Sequence, residues 1–276
     1  ILSSLFTIQF VLGYFANGFI ALVNCIDWVK RQKISCADGI LTALAVSRIC
    51  LLCVLVLNWY ATVLNLAFYS LDVKLIVHIV WMTSHHFSLW LATSLSIFYL
   101  LKIANFSSLL FLHLKWRAER VVIMILLGAL KNFYLSLPQK YICVCIEYKG
   151  NITWKTNLRN IIHLSNLTIF TLVNFIPFSV SLTAVLLLIL SLWKHLKRMQ
   201  LSDPSTKVHV RAMQTVISFL LLFVIYFLAQ IIAIWRPQTL QNNSVLMLCE
   251  VLGIMHPSTH SLILIWGNKK LRQAFL

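Results

Sequence analysis

The side chains in this sequence that are most suited to binding or catalytic chemistry are ionisable groups inside long apolar segments. Glu250 is the one acidic residue within such a segment, and Arg48 is a cation deep within another. A charged group in the hydrocarbon of a membrane is costly unless it meets a partner or a water-filled cavity. Each of these two residues is therefore a candidate for either ligand binding or structural pairing.

For Glu250 two interpretations remain open. Its carboxyl group either accepts a hydrogen bond or ion pair from a polar or cationic ligand, or bonds to a neighbouring helix while burial keeps it neutral. For Arg48 we favour a structural clamp or activation lock over ligand contact, because the side chain is too deep to reach the membrane surface easily. Asn17, in the first apolar segment, is its expected hydrogen-bonding partner.

The third apolar segment carries a polar and aromatic face. Residues that recur at intervals of three and four share one side of a helix, and here they are His78, Trp81, His85, Ser88, Ala92 and Ser96. Tyr226 and Gln230 in the sixth segment would oppose this face. Asn58 and Trp59, near the end of the second segment, would complete an outer cavity suited to a small organic ligand. The alternative is an aromatic belt at the membrane interface, which fits Trp59 better than Trp81.

His256 and His260 are four residues apart, a spacing that can place two metal ligands on one side of a helix. Pro257 lies between them, and no third ligand is near in the sequence. Hydrogen bonding in helix packing is therefore the expected role of both histidines, and no metal or other cofactor is predicted. The sequence has no G-x-S-x-G, P-loop or H-E-x-x-H motif, so an enzyme is not expected.

Seven apolar segments must position these residues. The chain of 276 residues is 60% hydrophobic and 11% charged, whereas about a quarter of the residues in soluble proteins are charged. A membrane-spanning helix needs about 20 apolar residues, and the segments lie near 1–26, 39–62, 75–101, 120–138, 165–193, 213–235 and 245–266. We therefore predict a single all-α integral membrane domain over 1–276, a seven-helix bundle with a short amphipathic helix in the tail, 267–276.

Basic residues predict the orientation of this bundle. The connections 27–38, 102–119 and 194–212, with the tail from Asn268, hold more than twice as many Lys and Arg as the opposite connections. Under the positive-inside rule they face the cytoplasm, so the amino terminus is outside. The sequon that begins at Asn151 then falls outside and is a predicted glycosylation site. Seven spans with this orientation form the layout of a G-protein-coupled receptor of the plasma membrane.

The net charge of +16 has the same explanation. Cations that bind nucleic acid form a patch or stripe on a folded surface, whereas the 23 Lys and Arg of this chain stand mainly between apolar segments. No nucleic acid partner is therefore expected. The lipid bilayer is the expected partner, with a sterol in a lipid-facing groove left open.

Several stretches resemble the bitter taste receptors, the type 2 taste receptor family, nearly from end to end. They read ANGFIALVNCIDWVKRQKIS at 16–35, LTALAVSRI at 41–49, LATSLSIFYLLKIANFS at 91–107, IPFSVSL at 176–182 and HPSTHSLILIWGNKKLRQAFL at 256–276. The third segment lacks the Asp/Glu-Arg-Tyr triplet of rhodopsin-like receptors. HPSTH also stands where those receptors have Asn-Pro-x-x-Tyr, and both departures favour the bitter taste receptors.

The resemblance implies that a small bitter agonist binds in the outer half of the bundle. Family members contact agonists through a tryptophan that matches Trp81, and through a position that matches Glu250. Tyr226 and Trp59 also match pocket positions of close relatives. His85 departs from the family, because most members carry asparagine there, so the polarity of the pocket is expected to differ.

The resemblance also implies coupling to gustducin or a related inhibitory-class G protein. Basic residues beside the cytoplasmic ends of the third, fifth and sixth segments are expected to face this partner. They are Lys102, Lys197, Arg198, Lys207 and Arg211.

Two rival functions remain. A channel or secondary transporter would use Arg48, Lys131 and Glu250 as charges along a pathway, although the odd number of spans and the absence of internal repeats disfavour it. A receptor of the same fold for a non-bitter small molecule is not separated from a bitter taste receptor by these residues.

Overall fold

The computed structural model of the chain describes residues 2–30, 35–63, 71–104, 106–131, 156–197, 204–235 and 243–276. All regular secondary structure in these residues is α-helical. The helices are α1 (Leu2–Val29), α2 (Cys36–Val63), α3 (Leu71–Ile103), α4 (Leu109–Trp116), α5 (118–131), α6 (Thr156–Leu196), α7 (Pro204–Trp235), α8 (Asn243–Gly267) and α9 (Lys269–Phe275).

Among the described residues, 6 helices contain a stretch that is long and apolar enough to cross a membrane. The stretches are Leu2–Val29, Cys36–Ala61, Ile76–Ile103, Thr171–Leu196, Met213–Ala233 and Met247–Gly267. They correspond to the first, second, third, fifth, sixth and seventh predicted segments. Of the fourth, the structure describes α5 as far as Lys131, and 132–138 lie outside the described residues. The fold is therefore a helical membrane bundle.

The long helices pack in a closed ring. α1 lies between α2 and α8, α3 contacts α2 and α6, and α7 contacts α6 and α8. Asn17, Arg48 and Ser181 are 0% exposed within this ring. On its outside, Phe15 is 70% exposed and Leu221 is 59% exposed. Since soluble proteins bury most such apolar side chains and expose the polar ones, this distribution fits a bundle whose surroundings are lipid.

Two prolines inside helices become contact points between helices. Pro177 lies inside α6 and Pro257 inside α8, where proline cannot donate a backbone hydrogen bond. Thr93 Oγ1 donates to the Pro177 carbonyl at 3.1 Å, and Asn17 Nδ2 donates to the Pro257 carbonyl at 3.2 Å. Side chains of neighbouring helices thus bond to the backbone carbonyl of each proline, and such bonds help membrane helices to tolerate proline.

Lys270 fastens α9 to the ends of α1 and α2. Its Nζ lies 2.6 Å from Asp27 Oδ2 and 3.5 Å from Asp38 Oδ2, and donates to Asn24 Oδ1 at 3.0 Å. Asn268 caps α9 by accepting from the backbone N–H of Lys270 at 3.0 Å. Because the ion pairs are partly exposed, each contributes less than about 1 kcal/mol, and their main effect is to fix the position of α9.

Gly13 permits a close approach of α1 to α8. A Cβ at this position would overlap the Ser258 side chain, at 2.8 Å from its Cβ, and would lie 3.0 Å from its backbone Cα. The backbone of Ser258 cannot rotate away, so any larger residue must push the two helices apart.

We predict that Gly13→Ala destabilises the protein by about 1–3 kcal/mol, because it overpacks this contact. Thermal denaturation of the detergent-purified protein, followed with a thiol-reactive fluorophore, measures the effect. Gly18→Ala is the matched control on the same helix, since nothing lies within 4 Å of its added Cβ. Equal melting temperatures for the two variants would contradict the close approach.

Candidate functional site

A buried polar network joins α1, α2 and α8 around Arg48. The Arg48 side chain donates from Nη1 to Ser261 Oγ at 3.1 Å, and its Nη2 lies 2.6 Å from His260 Nδ1. Ser261 Oγ also lies 2.7 Å from Asn17 Oδ1 and 2.8 Å from the Pro257 carbonyl oxygen. We call these five residues the Arg48 network, and it ties three helices together at the centre of the bundle.

Neutral acceptors surround the Arg48 cation. A guanidinium group offers donors and no acceptor, so His260 Nδ1 must accept, and the neutral ring then carries its proton on Nε2. Within the described residues no carboxylate lies within ion-pair distance of Arg48, and its Nε atom has no hydrogen-bond partner there. The network therefore holds a positive charge without an opposing negative one in this part of the chain.

The structure places a hydroxyl group between Arg48 and its expected partner. Asn17 does lie in the same network, but the bond that reaches Arg48 comes from Ser261. Ser261 was not predicted, because a serine inside a helix commonly bonds to its own backbone. Its position four residues after Pro257, on the same face of α8, is the signal that could have indicated it.

His256 lies among aromatic rings. Its ring centroid is 4.9 Å from that of Tyr226, 5.6 Å from Phe223 and 5.4 Å from His260. Its Nε2 has no hydrogen-bond partner among the described residues. The described part of the chain contains no group of three or more His, Cys, Asp or Glu side chains that could hold a metal ion. His256 is therefore a packing contact between Tyr226 and the Arg48 network.

Tyr226 connects α7 to α3 through His85. The Tyr226 hydroxyl and His85 Nδ1 are 2.6 Å apart, and both side chains are buried. The Trp81 ring stacks on the His85 ring, with centroids 5.5 Å apart and planes at 18°. The structure thus brings together Trp81, His85 and Tyr226, three of the residues predicted to bind a ligand.

A small cavity of about 10 Å³ lies beside this bridge. Its lining consists of His85, Leu89, Thr171, Asn174, Tyr226, Phe227, Gln230 and Ile231. A cavity of this volume holds about one water molecule, so an organic ligand can enter only if lining groups move apart. Thr171 and Asn174 were not predicted, and their spacing of three residues on α6 is the signal that could have indicated them.

The remaining predicted ligand-binding residues lie outside this lining. Trp59 is 0% exposed and stacks on Phe6, with centroids 4.3 Å apart. It packs inside the bundle rather than at the lipid surface, where an interfacial belt would place it. Glu250 is half-buried on α8, Asn58 is half-buried on α2, and Ser88 is buried on α3.

The predicted G-protein-facing residues are described in part. Lys102 and Lys197 are exposed at the ends of α3 and α6, and Lys102 Nζ lies 5.5 Å from the centroid of the Phe98 ring. Arg198 lies outside the described residues, and the side chains of Lys207 and Arg211 lie outside the described side chains. The predicted glycosylation site Asn151 also lies outside the described residues.

We predict that Ser261→Ala lowers the stability of the protein by about 1–3 kcal/mol, because Arg48 Nη1 and Asn17 Oδ1 each lose a buried partner. The melting temperature of the purified protein measures this loss. Ser47→Ala is the matched control beside Arg48, since the Ser47 hydroxyl donates to the Leu44 carbonyl of its own helix. A melting temperature lowered equally by both changes would argue against the bridging role of Ser261.

Known proteins are similar to this sequence along its whole length. The sequence matches the Taste receptor protein (TAS2R) family over residues 1–276. It is 58% identical to taste receptor type 2 member 46 of Homo sapiens over 286 residues, covering 100% of this chain and 92% of the relative. Two further relatives, putative taste receptor type 2 member 33 of Homo sapiens and taste receptor type 2 member 31 of Pan troglodytes, are 58% identical over 284 residues with the same coverage.

The family predicted from the sequence motifs is thereby confirmed, and it is a family of receptors rather than of enzymes. The chain belongs to the type 2 taste receptor family, and it is a bitter taste G-protein-coupled receptor that crosses the plasma membrane several times.

Proposed function

We propose that this receptor binds small bitter organic compounds in the outer half of its bundle and activates a heterotrimeric G protein of the gustducin or inhibitory class. One observation carries the proposal: the stacked pair of Trp81 and His85 is bonded to Tyr226 beside a cavity. Aromatic walls with a few convergent polar groups are the usual lining of sites for organic ligands.

The proposal includes seven spans, with 120–138 as the fourth, an outer amino terminus and α9 against the cytoplasmic face. The distribution of Lys and Arg supports this orientation. Four exposed tryptophans at helix ends support the position of the membrane boundary on this side of the bundle: Trp28, Trp116, Trp193 and Trp266, which are 70%, 86%, 60% and 53% exposed. Tryptophan is enriched where helices leave the hydrocarbon.

In the proposed complex the agonist lies against Trp81, above the bond between His85 and Tyr226. Glu250 on α8 would accept a hydrogen bond or an ion pair from polar or cationic agonists. The further proposed contacts are Trp59, Ser88, Asn58 and Gln230. Because the cavity of about 10 Å³ is too small for such a ligand, the proposal includes a widening of the space between α3, α6 and α7 on binding.

Tyr226 would carry this movement to the Arg48 network. Its ring stacks on the His256 ring, with centroids 4.9 Å apart. The centroids of the His256 and His260 rings are 5.4 Å apart, and His260 bonds to Arg48. An agonist that binds the widened bundle more tightly than the contracted one shifts the population toward the widened state. The Arg48 network is then the element whose two arrangements distinguish the inactive receptor from the active one.

The cytoplasmic ends of α6 and α7 would separate in the active state and admit a helix of the G protein. The proposal assigns five cations to this opening: Lys102, Lys197, Arg198, Lys207 and Arg211. Their positive potential would steer an acidic surface of the partner toward the opening. Glycosylation at Asn151, on the opposite side, belongs to the same proposed topology.

A receptor for a non-bitter small molecule is the second candidate, because the same aromatic lining would serve it. We propose a compound screen to separate the two. Cells that express the chain with a gustducin chimera are exposed to chemically diverse bitter compounds, and intracellular calcium is measured. A response to non-bitter compounds alone would favour the second candidate.

For an agonist identified in this way, Trp81→Ala is expected to raise the half-maximal concentration about fivefold or more, because a central aromatic contact is worth more than about 1 kcal/mol. Glu250→Gln is expected to weaken cationic agonists more than neutral ones. The matched control on α3 is Ile76→Ala, since Ile76 is 60% exposed. Unchanged potency in both site variants, at normal surface expression, would remove the assigned site.

The bond between His85 and Tyr226 has its own test. His85→Phe and Tyr226→Phe each remove it, so a double-mutant cycle in melting temperature is expected to show a coupling of about 0.5–1.5 kcal/mol. His85→Phe combined with Thr183→Val is the control cycle, because the exposed Thr183 donates to the Ser179 carbonyl of its own helix. Additive effects in both cycles would contradict the bridge.

A further inference from the structure

The short helix α4 has apolar side chains on two faces. On one face, the Phe111 ring contacts Phe106 with centroids 5.0 Å apart, beside the end of α3. On the other face, Leu109, Leu112 and Trp116 are 85%, 50% and 86% exposed, and their spacing of three and four residues aligns them in one stripe. α4 is therefore held to the bundle by one face and presents a second apolar face outward.

A cleft of about 770 Å³ opens beside this stripe. The three residues of the stripe belong to its lining. The same lining contains the cations Lys102, Arg117 and Arg120, together with His113 and the single acidic residue Glu119. A lining that combines apolar side chains with an excess of cations matches a ligand with a negatively charged head and a hydrocarbon chain.

We infer that this cleft binds an anionic phospholipid of the cytoplasmic leaflet, an inference that rests on the orientation proposed above. The phosphate groups of the lipid contact Lys102, Arg117 and Arg120, and an acyl chain lies along the stripe of α4. Anionic lipids are concentrated in this leaflet, and basic pockets on the cytoplasmic side of helical bundles bind their head groups.

Exposure of the stripe favours a lipid over a soluble protein as the occupant. A short helix with Leu and Trp on its outer face and cations at its rim is typical of a segment that lies in the membrane interface. Trp116 at 86% exposure is the clearest case, since tryptophan is enriched at this depth. A bilayer covers such a stripe continuously, whereas a G protein would cover it only in the active complex.

The cleft is distinct from the agonist cavity. Lys102 and His85 are both on α3, and the 1.5 Å rise per residue separates them by roughly 25 Å along the helix axis. Lipid binding at the cleft can therefore be measured without an agonist or a G protein.

The test titrates the detergent-purified receptor with phosphatidylinositol 4-phosphate and counts bound lipids by native mass spectrometry, with phosphatidylcholine as the neutral lipid. The variant Arg117→Gln with Arg120→Gln is expected to weaken binding roughly 30-fold, because each cation near a membrane surface changes the affinity about fivefold. Glu119→Gln is expected to strengthen binding about fivefold, since it removes the acidic group of the cleft. A damaged fold would not produce this opposite sign.

A second pair of an exposed tryptophan and a lysine, Trp193 and Lys194 on α6, provides the control. Trp193→Ala with Lys194→Gln should leave the affinity unchanged, although these side chains are also exposed at the end of a span. A weakening of about fivefold in this control, the effect of one lost cation, would overturn the inference, because it would show unspecific attraction to any cation. Binding of a soluble inositol phosphate as tight as that of the lipid would overturn it too, since the stripe would then contribute nothing.

The G protein is the other occupant that the test can reveal. If Arg117→Gln with Arg120→Gln reduces G-protein activation in neutral lipid and leaves the lipid affinity unchanged, the cleft is a G-protein surface and the inference is wrong. A failure of the proposed agonist site appears separately, in the potency of Trp81→Ala. An epitope on the tail, probed in intact cells, tests the orientation by itself.

Discussion

The burial of the Arg48 guanidinium group is the constraint on which the rest of the bundle depends. A cation taken out of water must regain its hydrogen bonds from the protein, because an unpaired buried charge is strongly destabilising. Here the acceptors are Ser261 Oγ and His260 Nδ1 of α8, and Ser261 in turn contacts Asn17 of α1. A shift of one residue along α8 would rotate these acceptors by about 100° and break the arrangement, so the cation fixes the register of three helices.

Close backbone packing accompanies these hydrogen bonds. Lipid provides no hydrophobic force between helices that are already in the membrane, so small residues and polar contacts must hold them together. Gly13 allows α1 to approach Ser258, and this approach brings Asn17 within 3.2 Å of the Pro257 carbonyl. The large apolar residues on the outside, such as Phe15, favour insertion into the bilayer and contribute little to the association of α1 with α8.

The sequence predicted those features that belong to single helices. Six of the predicted apolar segments, the buried position of Arg48, and the shared face of Trp81 and His85 all follow from length and periodicity. The helix α4 was missed inside the connection 102–119, because eight residues are too few for a reliable periodic pattern. Helix α6 also extends beyond the predicted segment 165–193 at both ends, since a helix can continue into the interface, where polar residues are tolerated.

Contacts between helices were harder to predict. The bridge formed by Ser261, the cavity lining by Asn174 and the stack of Trp59 on Phe6 each depend on how two helices are rotated about their axes. Rotation and tilt are set by packing against all neighbours, and the periodicity of one helix does not contain this information. The residues that the sequence singled out are those whose chemical type is unusual at membrane depth.

In the proposed agonist site, different contacts would provide the tolerance for many ligands and the response to them. Stacking on Trp81 depends on an aromatic surface, which many organic compounds share. The bond between His85 and Tyr226 is worth only about 1 kcal/mol net, so a ligand that offers its own polar group in exchange loses little by opening it. The centroid of the Tyr226 ring lies 5.8 Å from that of His85 and 4.9 Å from that of His256. In the proposed mechanism, a small displacement of that one ring would connect agonist binding with the Arg48 network, whatever the shape of the rest of the ligand.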